Sequence, residues 1–132
     1  AAFPADPSQA VLDHHVKAMT AGDLDAVMAD YADNALLVAP HGIAPGQTNV
    51  AGNDVFAGKA NIRKFFAVLT DKDHIVGVRS MDSHAETLAD GTIVMHWAQF
   101  PHTPQQVLGE DIFIIRGGKV LMQNITVEAA KH

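Results

Sequence analysis

Asp111 is the residue whose setting most suggests chemistry, because it is a carboxylate within a predicted apolar strand. Gly117-Gly118 predicts a two-residue hairpin turn, and counting back from it sets Phe113 opposite Met122 and Asp111 opposite Asn124. Burial disfavours the charged form of a carboxyl group, which would suit Asp111 to proton transfer. The alternative is that Asp111 lies near a sheet edge and bonds Asn124 or water. Phe113, Met122 and Asn124 share its face and are predicted ligand-binding residues.

Histidine is the other residue type suited to proton transfer near neutral pH, and the chain has eight. His14 and His15 are adjacent, so on a helix they point about 100° apart, and His15 is the better inward candidate. The sequence has no His-x-His pair, no His-Glu-x-x-His motif and no cysteine, so we expect no metal site and no thiolate chemistry. Glycine-rich nucleotide-binding patterns and Gly-x-Ser-x-Gly are also absent, and we expect no cofactor.

Three helices are predicted in the first half of the chain. Asp6 is placed to cap a helix from Pro7 to about Ala21, which Gly22 ends. A second helix, capped by Asp23, and a third, beginning near Lys59, have apolar residues at the i, i+3, i+4, i+7 spacing of one buried face. These apolar stripes are Leu24, Val27, Met28 and Tyr31 in the second helix and Ile62, Phe65, Phe66 and Leu69 in the third.

A curved sheet is expected to complete the fold. A short strand over 35–39 is predicted between the second and third helices, with a long loop over 41–58. After Asp73, apolar and polar residues alternate, and breaks at Asp90-Gly91, 101–105 and Gly117-Gly118 predict four antiparallel strands. The order predicts an α+β domain with three N-terminal helices on one side of the sheet. Both faces of the last hairpin are largely apolar, so a partner subunit could cover the second face.

Length and composition exclude several classes of protein. With 132 residues the chain is expected to be one domain, 1–132, and its 48% hydrophobic content is that of a globular protein. A net charge of −6 with mixed signs argues against a nucleic-acid partner, and no apolar run is long enough for a membrane span. We expect a soluble protein, trimmed or processed because it lacks an initiator Met. Both a cytoplasmic and an exported location stay open.

Several segments together resemble a known family: Ala-Gly-Asp-Leu-Asp at 21–25, Tyr-Ala-Asp-Asn-Ala at 31–35, the segment 58–66, and Gly-Glu-Asp-Ile-Phe at 109–113 followed by Gly-Gly-Lys-Val at 117–120. Their order and spacing resemble the nuclear transport factor 2-like (NTF2-like) superfamily, in its SnoaL-like and ketosteroid-isomerase-like branch. The combination is more specific than any one segment. The resemblance implies a cystatin-like cone, in which a strongly bent, mostly antiparallel sheet wraps helix 1, with an apolar cavity and frequent homodimerisation through the sheet.

The resemblance also implies roles for single residues. Asp111 matches the hydrogen-bond-donating acid of ketosteroid isomerases, a carboxyl kept protonated in an apolar site. His15 stands where those enzymes have an oxyanion-binding tyrosine. Ala39 stands where they have the aspartate that moves the proton, so no general base is implied there unless His41 takes the task.

The strand register of the family, carried over without gaps, implies that His96 lies opposite Asp111 as a proton-transfer pair inside the cone. The same register implies that Phe100 shares this face, as a ligand-binding residue, and that Trp97 points away from the cavity. The alternative is that His96 faces the dimer side or bonds a backbone group. Tyr31 is expected in the core with its hydroxyl at the cavity edge, where it could also bind a ligand.

The combined prediction is a homodimeric domain that binds a small apolar molecule in its cone. His96 and Asp111 would transfer a proton on a carbonyl-type metabolite, as in an isomerase, cyclase or dehydratase, while His15 or Tyr31 stabilises an oxyanion. The alternative is a non-catalytic binding or dimerisation module, which the missing base at Ala39 favours. Its own bulky side chains could fill the cone.

Overall fold

The computed structural model describes residues 7–128, with side chains from Ser8 onward. Its helices are α1 (Pro7–Ala21), α2 (Leu24–Met28), α3 (Lys59–Leu69) and α4 (Ile75–Ser80). Its strands are β1 (Tyr31–Pro40), β2 (Gln47–Thr48), β3 (Asn53–Ala57), β4 (Asp82–Thr87), β5 (Ile93–Gln99), β6 (Val107–Arg116) and β7 (Lys119–Val127). None of the helices in this part of the chain has both the length and the apolarity that a membrane crossing requires.

The strands form one seven-stranded sheet in the order β2-β3-β1-β7-β6-β5-β4. Each pairing is antiparallel except β1 with β7, which is parallel. The sheet curls without closing, and alternate residues of β5, β6 and β1 are buried on its inner face. The predicted α+β cone with a strongly curved, mostly antiparallel sheet is therefore confirmed.

Gly22 and Asp23 mark the end of α1 and the start of α2, as the sequence predicts. Gly22 has φ +71°, a left-handed conformation that favours glycine, and it separates α1 from α2. The Asp23 side chain accepts a hydrogen bond from the Ala26 amide and so caps α2. The predicted cap at Asp6 lies outside the described residues.

The apolar stripe of α3 is buried as its spacing predicts. Ile62, Phe65 and Phe66 are 0–1% exposed, and they pack with Val27 and Leu37 in one core beneath the sheet. Burial of these side chains stabilises the fold by about 1.5–3 kcal/mol each.

The segment between the second and third helices departs from the prediction. The second helix ends at Met28, and Tyr31 begins a strand of ten residues instead of closing the helix stripe. The predicted long loop contains β2 and β3, and β3 pairs antiparallel with β1. The glycine and asparagine residues of 41–58 form the tight connections around these strands. Because β2 and β3 contain few apolar residues, the segment has the composition of a loop.

A fourth helix, α4, lies where the sequence predicted the start of the strand meander. Its six residues are too few for helical periodicity to be distinguished from strand alternation. The alternation after Asp73 also predicts that Arg79 lies at mid-strand, where it could pair with Asp82 or Glu86 at the surface. The structure places it in α4, where its Nε donates a hydrogen bond to the Thr20 carbonyl of α1 at 3.0 Å.

A β-bulge changes the register of the last hairpin. Arg116 pairs with Lys119 and Ile115 with Val120, as predicted, but the next pair is Ile114 with Met122, which leaves Leu121 without a partner. A one-residue shift turns every later side chain to the other face.

Because of the bulge, two predicted residue pairs differ from the observed ones. The predicted pairs of Phe113 with Met122 and Asp111 with Asn124 are wrong, because Phe113 lies opposite Gln123 and Asp111 opposite Ile125. Gln123 is buried on the inner face at 1% exposure, in the place expected for its two neighbours.

Candidate functional site

Asp111 is buried on the inner face of β6, with a relative exposure of 6%. Both carboxyl oxygens accept hydrogen bonds: Oδ1 from the Trp97 indole Nε1 at 2.9 Å and Oδ2 from the Gln123 Nε2 at 2.9 Å. No lysine or arginine within residues 7–128 forms an ion pair with it. Asp111 is thus a buried carboxyl held by two neutral donors.

Tyr31 sets the orientation of the Gln123 amide. Its hydroxyl donates a hydrogen bond to Gln123 Oε1, which leaves Nε2 to donate to Asp111. Tyr31 is 1% exposed, and burial raises its pKa well above the usual value, so it stays a donor at neutral pH. The order of donors from Tyr31 through Gln123 to Asp111 is the one an ionised carboxylate requires, because a carboxylate only accepts.

Opposing effects act on the pKa of Asp111. Burial raises it, the hydrogen bonds from Trp97 and then Gln123 lower it, and the nearby charge of Glu110 raises it; together these effects raise the pKa from 3.8 to about 6. At pH 7 the carboxylate form is therefore the main one, although it takes up a proton more readily than an exposed aspartate does.

Gly109 makes the contact between Trp97 and Asp111 possible. Trp97 on β5 pairs with Gly109 on β6, and the indole lies across the glycine. A Cβ at position 109 would be 2.0 Å from the indole Cζ2, a distance that no packing allows. An aromatic side chain covering a cross-strand glycine is a recurrent pairing in sheets.

His15 projects from α1 into the same interior and is 5% exposed. Its ring contacts those of Tyr31, Phe66 and Phe113 edge-on, with centroids 5.9, 5.6 and 5.6 Å away. Burial, and then the charge of His14, lowers the pKa of His15 from 6.5 to about 4, so the imidazole is neutral at pH 7. Its Nδ1 is buried and has no hydrogen-bond partner among the described residues.

A cavity of about 630 Å³ lies between α1, α3, α4 and the inner face of β5–β7. This volume is within the range of roughly 300–1,000 Å³ typical of small-molecule pockets. The wall is mostly apolar, and its polar members include Asp111, Gln123, His15 and Arg79. The full lining is His15, Val16, Met19, Thr20, Gly42, Ile43, Phe65, Phe66, Leu69, His74, Val78, Arg79, Met81, Ser83, Met95, Trp97, Gln99, Val107, Asp111, Gln123, Ile125 and Val127.

His96 and Trp97 exchange their expected places. Met95, not His96, lies opposite Asp111 in the β5–β6 register, so His96 faces outward and the predicted His96–Asp111 pair is wrong. The His96 ring stacks on that of His84 with centroids 5.0 Å apart, and its Nδ1 lies 3.6 Å from Glu110. The prediction that Trp97 points away from the cavity is wrong for the same reason.

The other predicted ligand-binding residues are not among those that line the cavity. Phe100 follows the end of β5 with φ +50°, and Met122 and Asn124 face outward because of the bulge. Phe113 packs behind His15, and the Tyr31 hydroxyl is engaged by Gln123. Phe113 and Tyr31 therefore support the site from behind.

The sequence reasoning missed Trp97 and Gln123. A signal for Trp97 was present, since Gly109 is the only glycine in the predicted strand that contains Asp111 and an aromatic residue commonly covers such a glycine. Nothing in the sequence signalled the bulge at Leu121, and the inward position of Gln123 depends on that bulge.

Ala39 and His41 are the two other positions considered for a general base, and they lie in different surroundings. Ala39 is buried in the core, opposite Asp54 on β3. His41 is exposed, and its Nδ1 lies 2.9 Å from Asp54 Oδ1. Asp54 also accepts hydrogen bonds from the Gly42 amide and the Thr48 hydroxyl; the bonds from His41 and then Thr48 lower its pKa to about 2. This cluster fixes the segment whose Gly42 forms part of the cavity wall.

The similarity of this chain to known proteins is seen in its structure and not in its sequence. No protein-family model matches the sequence, and a search of curated proteins finds no match. An NTF2-like protein of unknown function from Burkholderia xenovorans superposes with a TM-score of 0.68 at 16% identity, over 96% of this chain and 86% of that one. The chain has the NTF2-like fold.

Other structures with the NTF2-like fold agree over similar lengths. An NTF2-like protein of Mesorhizobium loti has a TM-score of 0.66 at 10% identity, over 98% of this chain and 97% of that one. SalBIII, an epoxide hydrolase/cyclase-like enzyme of pyran ring formation in salinomycin, has a TM-score of 0.64 at 18% identity, over 92% and 90%. Identities this low establish the fold alone, because the fold hosts many functions.

Proposed function

We propose that this NTF2-like domain binds a small, largely apolar carbonyl compound in its cavity and that Asp111 acts on it as a general base without a cofactor. The observation that carries the proposal is the setting of Asp111: buried in the cavity wall, with both oxygens accepting from neutral donors. No lysine or arginine of residues 7–128 neutralises it, so its negative charge is available to a proton of the ligand.

This role differs from the one that the resemblance implies. A donating acid must be protonated at neutral pH, whereas Asp111 has a pKa of about 6 and two donors directed at it. A base with a pKa close to the working pH combines the deprotonated form with good proton affinity. In this proposal Asp111 is the general base, so no second carboxylate is required at position 39.

The reaction that fits is removal and return of a proton beside a carbonyl group. The Asp111 carboxylate takes the proton from carbon, the electron pair moves onto the carbonyl oxygen as an enolate, and the protonated Asp111 returns the proton to a carbon of the same molecule. His15 lines the cavity as a neutral imidazole, and in this proposal it donates a ring N–H to the enolate oxygen.

The test is exchange of α-protons of cyclohexenones and tetralones for deuterium, followed by NMR in D2O at pH 7.5. The wild-type protein is expected to accelerate exchange above the buffer rate, and Asp111→Asn to lower that acceleration about 10²-fold or more. Glu110→Gln is the matched control, since Glu110 is the next residue on β6 and faces outward beside His96. Equal exchange by wild type and Asp111→Asn would overturn the proposal.

The second candidate is a binding module without turnover, and the alanine at position 39 favours it. In that case, ketones would raise the melting temperature of the protein but would not exchange their α-protons. A thermal-shift series on the same compounds separates the two functions, because a ligand at a hundred times its Kd adds about 2.7 kcal/mol of stability.

We also propose that a second copy of the chain covers the outer face of the sheet. Ile112, Ile114 and Met122 lie on this face and are only half-buried, and Leu108 and Leu121 beside them are exposed. Apolar side chains on both faces of an antiparallel sheet call for a cover on each.

A further inference from the structure

The cavity has groups of opposite charge at its two ends. Asp111 lies at the buried end, with 6% exposure, together with the buried Trp97 and Gln123. Arg79 lines the cavity from α4 and is exposed, so it lies at the end that opens to solvent. Among the described lining residues, Arg79 is the only lysine or arginine.

The Arg79 side chain is held in place without being neutralised. Its Nε donates to the Thr20 carbonyl at 3.0 Å, near the end of α1, and this bond leaves the two Nη groups to other acceptors. No carboxylate of residues 7–128 lies within 4.0 Å of its nitrogens, whereas Arg63 pairs with Asp25 at 2.6 Å. Arg79 thus lines the cavity beside the C-terminal turn of α1, and no carboxylate of residues 7–128 pairs with its guanidinium.

We propose that the cavity takes an amphipathic organic carboxylate, with its carboxylate on Arg79 at the entrance and its apolar body directed toward Asp111. A planar guanidinium fits a carboxylate through paired hydrogen bonds, and the wall between the two ends is apolar, with Met19, Leu69 and Met95 among its residues. The inference rests on the proposed function, because it names the class of molecule on which Asp111 would act.

Charge also fixes the orientation of such a ligand. An ionised carboxylate at the inner end would meet the Asp111 carboxylate in a water-poor site, where like charges repel strongly. The apolar or neutral carbonyl end must therefore be the inner one. This places the reacting carbon near the base and leaves the acid group at the solvent end.

Arg79 also has a structural role that the test must separate. By donating to the Thr20 carbonyl it satisfies an acceptor in the last turn of α1, so a substitution affects stability as well. Arg79→Gln keeps a donor in place of the charge, and Arg79→Lys keeps the charge without the fork. Arg63→Gln is the matched control, because Arg63 is an exposed arginine of α3 that does not line the cavity.

The experiment compares ω-phenylalkanoic acids with their primary amides, which have nearly the same shape but no charge, by calorimetry at pH 7.5. The acids are expected to bind wild type at least tenfold more tightly than the amides, and this preference should fall as NaCl rises from 50 to 500 mM. Arg79→Gln should remove the preference, Arg79→Lys should keep part of it, and Arg63→Gln should keep all of it. A purely structural Arg79 would change acid and amide binding equally.

Three outcomes overturn the inference. If acids and amides bind wild type alike, or if the preference persists in Arg79→Gln, Arg79 does not recognise a carboxylate; the proposed base could still stand. If neither series binds wild type, the carboxylate class is wrong, and ketone exchange with Asp111→Asn then decides the proposed function separately.

Discussion

At the scale of the residue, burial makes Asp111 costly to ionise, and no lysine or arginine of residues 7–128 pairs with it. Two neutral hydrogen bonds recover part of the lost solvation, and the pKa still rises from 3.8 to about 6. Such a shift is a functional signal when the group lies in a cavity. Under the proposed function, this cost in stability makes Asp111 a stronger base than an exposed aspartate.

Asp111→Asn is expected to stabilise the protein at pH 8. Because the folded pKa is raised, the contribution of Asp111 to stability is present below pH 3.8 and is lost as the pH rises through about 6. The free energy of unfolding of the variant should exceed that of wild type by up to about 3 kcal/mol at pH 8 and match it near pH 3.5. Urea unfolding across this range measures the difference, with Glu86→Gln, at an exposed carboxylate of β4, as control; an Asp111→Asn protein less stable than wild type at pH 8 would contradict it.

His15 has the opposite dependence. Its folded pKa is lowered from 6.5 to about 4, so its contribution to stability is present above pH 6.5 and is lost as the pH falls through about 4. His15→Leu should lack this loss, which is about 3 kcal/mol between pH 7 and pH 4. His102→Asn removes an exposed imidazole that does not line the cavity and serves as control in the same urea series. An unchanged pH profile in His15→Leu would show that the imidazole is not buried.

At the scale of the element, helices were more predictable than strand register. A helix stripe tolerates an error of one residue, so α1 and α3 were found close to their bounds from apolar spacing and from Gly22. In a strand, an error of one residue puts the side chain on the opposite face. Such an error arose twice, at the bulge at Leu121 and in the predicted register of His96. Asp111 was identified correctly as buried because its position did not depend on the bulge.

The β5–β6 pairing gives a test of the Trp97 contact. Trp97 is the sole tryptophan of the chain, so its fluorescence reports the protonation of Asp111, with an expected midpoint near pH 6. Gly109→Ala must displace the indole and remove a bond that lowers the pKa of Asp111, so the midpoint should move above 6. Overpacking should also cost about 1–3 kcal/mol of stability.

Leu108→Ala is the control for Gly109→Ala, since Leu108 is the adjacent residue of β6 and is exposed. Its fluorescence midpoint should remain that of wild type. A Gly109→Ala protein with the wild-type midpoint would show that the indole does not contact Asp111.

At the scale of the whole molecule, the NTF2-like fold brings His15 on α1, Arg79 on α4 and Asp111 on β6 together around one cavity. These residues are 15, 79 and 111 in the sequence, so no local motif could show their proximity. Only the fold, recognised by resemblance, related Asp111 to His15. The sequence does not indicate that Arg79 lines the cavity, because the alternation after Asp73 predicts a strand where the structure has α4.

The outer face of the same sheet predicts the oligomeric state. If a second copy covers it, light scattering coupled to gel filtration should give twice the mass of one chain. Ile112→Lys, in the middle of this face, should give monomers, because it places a charge in an apolar interface. Leu88→Lys, at an exposed leucine between β4 and β5, should leave the dimer intact. A monomeric wild-type protein at micromolar concentration would exclude this arrangement.

Whether Asp111 can act as a base is decided by a 13C NMR titration of the aspartate carboxyl carbons, with Asp111 assigned by its absence in Asp111→Asn. We expect a midpoint near pH 6 for Asp111, with the carboxylate as the main form at pH 7.5. A midpoint at or below 4 would mean a solvated, structural carboxyl. A midpoint well above 7.5 would make Asp111 a hydrogen-bond-donating acid and contradict its proposed role as the base.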